Sequence, residues 1–193
     1  MKLNKEILLD ASGKSLENAE ELVNEANLLF KNQHYARAFT LFQLSIEEVG
    51  KSNLLFSSVI FNTYKTEKES KKLLKDIRNH KLKTKSSQGI DYILAMFLKG
   101  TDLKKKLLNN AIKQGEQIGK INDFKNYSLY LSLIDGTFVK PSEKIGIELV
   151  ESWKFYAEIR LLATKQYQEV MSNDIDDVIK RLDNIDENEF IEN

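Results

Sequence analysis

Two clusters of ionisable residues stand out in this chain. The first is Ser45-Ile46-Glu47-Glu48-Val49-Gly50-Lys51, and the second, further along, is Arg78-Asn79-His80-Lys81-Leu82-Lys83. Glu47 and Lys51 are four residues apart with the acid first, so on a helix they share a face and can pair. Glu48 points about 100° away from Glu47 on the same helix. Around them the chain reads ARAFTLFQLSIEEVGKSNLLFSSVIF, apolar enough for a central core helix. Ionised groups in such a helix cost free energy unless they pair or do chemistry. Gly50 costs about 1 kcal/mol relative to Ala in a helix interior. Its use there would be the close approach of another backbone or of a bound group. The plainer alternative is a surface Glu47–Lys51 pair worth about 0.5 kcal/mol or less.

His80, one of two histidines, lies among Lys75, Arg78, Lys81, Lys83 and Lys85. A histidine among cations is expected as a neutral ring, ready to accept a proton. Arg78 and Lys75 would hold a phosphate and stabilise charge in phosphoryl transfer. That set suits RNA cleavage, with a base for the ribose 2′-hydroxyl and cations for the charge-rich transition state. The alternative is a basic loop or helix start with a solvent-exposed histidine. His34 sits beside Tyr35 at a turn between helices, where capping or packing explains it.

The elements that must carry these clusters are helical. The chain has 193 residues, one Pro and eight Gly. So few breakers argue for long helices rather than a sandwich or barrel. The spacing predicts a first helix from Ser15, read as its N-cap, to Lys31, and a second from Tyr35 to Thr63. The short link makes them an antiparallel hairpin. A short helix over Lys65–Lys75, one over Gln88–Lys99 and one over Asp102–Gly119, capped by Thr101, follow. The Gln88 helix could start before Arg78. Residues 124–141 break the helical period, and Asp135-Gly136 is a turn signal for a small hairpin or an extended loop. The last long helix runs over Ser142–Met171, and a short acidic helix over Asp176–Leu182.

One helical domain is expected over residues 1–172, with an acidic tail over 173–193. The tail holds eight acids and two bases, so it carries −6 and the body +6 in a chain of zero formal charge. A basic body is compatible with RNA binding and equally with a solvated surface. Cys is absent, which excludes disulfides and thiolate metal sites. No Gly-rich phosphate loop, zinc-protease motif or calcium loop occurs, so neither metal nor cofactor is expected. Tyr and Phe recur at helical spacing, as core residues rather than base-stacking platforms. The opening apolar run is too short for a signal peptide, and none reaches the roughly 18 residues of a membrane helix. A cytoplasmic protein with no membrane partner is expected.

Several blocks, in order, resemble one family. They are Tyr35-Ala36-Arg37-Ala38, the Ser45–Lys51 block, His80-Lys81-Leu82-Lys83, Lys125-Asn126-Tyr127-Ser128-Leu129-Tyr130, Asp135-Gly136 and Pro141. Together they resemble the AbiV family of bacterial abortive-infection proteins over about residues 15–172. The resemblance implies phage resistance, usually at the expense of the infected cell. It also implies kinship with HEPN domains, all-α bundles that commonly dimerise and are often metal-independent ribonucleases. The usual HEPN motif is Arg, four residues, then His. Here Lys75 stands at the Arg position before His80, and Arg78 is only two residues away. Lys lacks the bidentate fork of Arg.

The expected fold is thus an all-α, HEPN-like bundle of long antiparallel helices with a small irregular or hairpin segment near 124–141, forming a homodimer. Its expected catalytic residues are His80, Arg78 and Lys75. Glu47, Glu48, Lys51 and Lys83 form a binding or structural cluster where the second helix meets the His80 segment. The two functional readings are RNA cleavage and non-catalytic binding of a phage product or a translation component.

Overall fold

The computed structural model describes residues 3–97 and 100–183. The last two residues of the expected Gln88–Lys99 helix lie outside the described residues, as do the tail acids Asp186, Glu187, Glu189 and Glu192.

The chain folds as an all-α bundle with one small hairpin. Helix α1 spans Lys5–Lys31 and α2 spans Tyr35–Ile60, joined by a tight turn in which Gln33 has φ 62°. The first helix starts ten residues before the expected Ser15. Asn4 is its N-cap, accepting a hydrogen bond from the Ile7 amide at 2.8 Å. Ser15 is instead buried in mid-helix, where its hydroxyl donates back to the Ala11 carbonyl at 2.9 Å. That back-bond satisfies the hydroxyl and lets a capping residue type sit inside a helix.

Helix α3 spans Glu67–Asp76 and opens with a reciprocal cap between Thr66 and Glu69. Helix α4 spans His80–Phe97. It starts eight residues before the expected Gln88 but after Arg78, with the Asn79 side chain accepting from the Leu82 amide at 3.2 Å. Helix α5 spans Thr101–Glu116, with Gly100 rather than Thr101 at its N-cap.

Residues 118–127 then form helix α6, Ile118–Tyr127, so the expected irregular segment begins only at Ser128. Strands β1, Ser132–Ile134, and β2, Thr137–Val139, form an antiparallel hairpin with Leu133 opposite Phe138. Its turn residues Asp135 and Gly136 have φ of 50° and 79°, the two left-handed positions that an Asp-Gly turn supplies. The expected last helix is divided. Pro141 opens α7, Pro141–Lys144, and after Ile145-Gly146 comes α8, Ile147–Asn173. Helix α9, Ile175–Asp183, is the short acidic one.

Helix α2 is the centre of the bundle, packed by α1, α4 and α8. Its burial extends round the helix, as expected of a core element. One apolar cluster joins Ala19 and Val23 of α1 to Phe39, Phe42 and Ile46 of α2 and Val150 and Leu161 of α8. A second, at the far end, joins Leu8, Phe56, Val59 and Leu73 to Ile175 of α9. Each fully buried Phe or Val contributes roughly 1.5–3 kcal/mol. The rigid α2 so produced is the platform for the first ionisable cluster. Among the described residues, no helix is long and apolar enough to cross a membrane.

Candidate functional site

Glu47 is 1% exposed, on the side of α2 that meets α4 and α6. Its carboxylate is the hub of the site. Oε2 lies 2.5 Å from His80 Nδ1 and 3.4 Å from Lys83 Nζ, and Oε1 accepts from Lys125 Nζ at 2.8 Å. Three cation-forming side chains from two other helices thus converge on one buried acid. Burial alone would push the Glu47 carboxyl up. The hydrogen bonds from His80 and Lys125 and the charges of Lys125 and Lys83 outweigh it and hold the group below its ordinary range. Glu47 is therefore an ionised acceptor.

Each neighbour is itself positioned. Asn79 caps α4, which places His80 at its first residue and Lys83 one turn on. Gly50 lets α4 come close: a Cβ there would lie 1.8 Å from the Lys83 carbonyl oxygen. The expected use of Gly50, close approach of a second backbone, is what the fold shows. Lys125 is set by the residue three positions on. Ser128 donates to the Lys125 carbonyl at 2.6 Å and shares a 2.6 Å hydrogen bond with Thr40 of α2. Behind Glu47, Gln43 donates to Thr84 at 3.1 Å and accepts from the Trp153 indole at 2.8 Å, tying α8 to the site.

The expected i,i+4 pair between Glu47 and Lys51 does not form. Lys51 instead pairs with Glu48 at 3.0 Å, on the part of α2 where the Lys51 side chain is 33% exposed. Lys83 also reaches Glu48, at 3.9 Å. The reason is orientation. The 100° step between successive helix positions turns Glu47 into the contact with α4 and α6 and leaves Glu48 and Lys51 part-buried at its edge. Nor is His80 surrounded by cations alone. Its nearest charged partner is the Glu47 carboxylate, with Lys125 Nζ 3.4 Å from the same ring nitrogen. The imidazole stays 56% exposed.

The structure brings Glu47, His80 and Lys83 together and joins Glu48 and Lys51 at the edge. Lys75, in the last turn of α3, and Arg78, in the α3–α4 link, are both exposed and lie outside the Glu47 network. Lys125 is the member that spacing did not reveal. It lies 78 positions from Glu47, and its only signal was its place in the Lys125–Tyr130 block that carries the family resemblance. Among the described residues, no three His, Asp or Glu side chains gather to hold a metal ion.

An ionised carboxylate accepts hydrogen bonds and donates none. The His80–Glu47 contact therefore puts a proton on Nδ1, and in the neutral form of such a ring the lone pair is on Nε2. The arrangement can accept a proton at Nε2 and stabilise the resulting imidazolium through Glu47.

A family model described as AbiV, of the HEPN_AbiV family, matches residues 7–161. Neither the curated proteins nor the solved structures give a significant match.

Proposed function

This chain belongs to the AbiV family of HEPN proteins, and from that membership we propose that it is a cytoplasmic abortive-infection protein which halts growth of phage-infected bacteria by metal-independent RNA cleavage. The observation that carries the reading is the contact of buried Glu47 with Nδ1 of an imidazole that is otherwise half in water. A histidine held through one nitrogen by a carboxylate, with the other nitrogen free, is the arrangement of a general base.

In the proposed step, Nε2 of His80 takes the proton of a ribose 2′-hydroxyl. The 2′-oxygen attacks the adjacent phosphorus, the bond to the 5′-oxygen breaks, and that oxygen leaves with a proton returned by the imidazolium. The products are a 2′,3′-cyclic phosphate end and a 5′-hydroxyl end. Arg78 and Lys75 are the cations assigned to the RNA phosphates, and their exposure supports that task. Lys125 and Lys83 keep Glu47 charged and in place. Cutting RNA that translation needs would stop the cell. The family kinship also supports a homodimer.

The test is incubation of cellular RNA in EDTA with the wild-type protein and with His80→Ala. Discrete fragments ending in cyclic phosphate from the wild type alone are expected. Equal fragments from both proteins would remove His80 from the mechanism.

A second reading has its own observation. Glu47 is satisfied by three neighbours without any substrate, as a purely structural network would be. In that case the protein binds a phage product or a translation component without cutting RNA. A fold-intact wild type that yields no fragments, even with extract from infected cells, would favour it.

A further inference from the structure

Beyond the Gly50–Lys83 contact, a groove of about 510 Å³ lies between α2 and α4, bordered by Tyr167 of α8. Leu54, Phe56, Ile60, Leu82, Ile90 and Ile93 give it an apolar lining. Its size falls within the range of pockets that hold small ligands. Some of its polar members are already engaged: the Asn53 amide donates to the Ser86 carbonyl at 3.4 Å, and the Ser57 hydroxyl donates to the Asn53 carbonyl. The charged member is Lys85. It makes no ion pair among the described residues, and no acidic side chain lines the groove.

Gly89 adds an independent argument. A glycine in the middle of α4 costs about 1 kcal/mol relative to Ala. At Gly50 packing explains that cost, because a Cβ would strike the neighbouring backbone. At Gly89 packing explains nothing, because a Cβ would meet no atom within 4 Å. What the missing side chain does is leave the groove open.

We propose that this groove binds an anionic amphiphile, a flat or short-chain apolar body whose carboxylate, sulfate or phosphate is held by Lys85. Charge complementarity favours this occupant over a second copy of the chain. A two-fold contact on this face would enclose two Lys85 side chains with no acid from the groove to offset either. The inference does not depend on the ribonuclease reading. It bears on that site all the same, because α2 and α4 also carry Glu47 and His80, and an occupant between them changes how the two helices lie.

Two naphthalene probes test it: anilinonaphthalenesulfonate, and N-phenylnaphthylamine, which has the same ring body without the charge. Fluorescence titration of the full chain should show saturable binding of one sulfonate probe per chain, roughly five-fold tighter than the neutral probe. Lys85→Met should erase that preference. Gly89→Phe should abolish binding of both probes with the circular dichroism unchanged, and Gly89→Leu replaces it if the larger ring prevents folding. Binding that survives the Gly89 variant, or no preference for the anion, would overturn the proposal. So would sedimentation showing a wild-type dimer that the Gly89 variant converts to monomer, since a second copy would then fill the groove.

Discussion

Gly50 and Lys83 meet backbone to backbone: a Cβ on residue 50 would stand 1.8 Å from the Lys83 carbonyl oxygen. This contact sets how deeply the first turn of α4 sits against α2. It thereby sets whether His80 and Lys83 reach the Glu47 carboxylate.

Gly50→Ala should therefore be harmful although Ala is the better helix former. The propensity gain is about 1 kcal/mol, while a clash with backbone cannot be relieved by a rotamer change. Overpacking of this kind costs roughly 1–3 kcal/mol and at times more. The expected result is a net loss of stability in urea unfolding, together with loss of any His80-dependent RNA cleavage. Gly89→Ala is the control, because its Cβ enters open space, and it should be neutral or stabilising. A Gly50→Ala protein as stable as the wild type would show that α4 does not press on α2 at this point.

The two lysines of the cluster that sequence spacing and structure disagree about can be separated by mutation. Lys125→Met removes a cation from a carboxylate that is 1% exposed. About 3 kcal/mol of stability should be lost, as when one partner of a buried pair is deleted. Lys51→Met breaks a part-buried pair with Glu48, which keeps Lys83 as a second cation, and should cost about 1 kcal/mol or less. Thermal melts of both variants give the comparison. Equal losses would contradict the placement of Lys125 against Glu47.

Glu47 also predicts a pH dependence with a definite sign. Burial opposes its ionisation, yet His80, Lys125 and Lys83 hold the folded carboxyl below the ordinary glutamate value of 4.5. A depressed carboxyl stabilises the fold above its unfolded value, and that stability is lost as the pH falls through the folded value. Urea midpoints should thus be level near neutrality and fall increasingly as the pH drops below 4.5. Glu47→Gln should start lower at neutral pH and fall less over the acid range. Parallel curves for the two proteins would mean that the acid sensitivity arises elsewhere.

The all-helical class followed from the scarcity of Gly and Pro, and the α1–α2 hairpin from apolar spacing around a short link. The Asp135-Gly136 turn was equally legible, since it depends on two adjacent residues that tolerate positive φ. Local signals misled where a residue had a second use. Ser15 read as a cap but serves as a buried back-bonded hydroxyl, and Phe124 and Tyr127 read as irregular chain but belong to α6.

The sequence by itself determined that Glu47, Gly50 and His80 were the residues to watch, because an acid and a glycine inside an apolar helix need an external reason. Only the tertiary structure decided what the reason was. Glu47, Glu48 and Lys51 are neighbours along α2, and helix geometry alone allows Lys51 to pair with either acid. The packing of α4 and α6 broke that tie. It buried Glu47, left Lys51 at the water's edge, and brought Lys125 across 78 residues to the carboxylate. Removing the acid from water made it need close cations, and which cations could reach it was a property of the packed helices rather than of spacing along one of them.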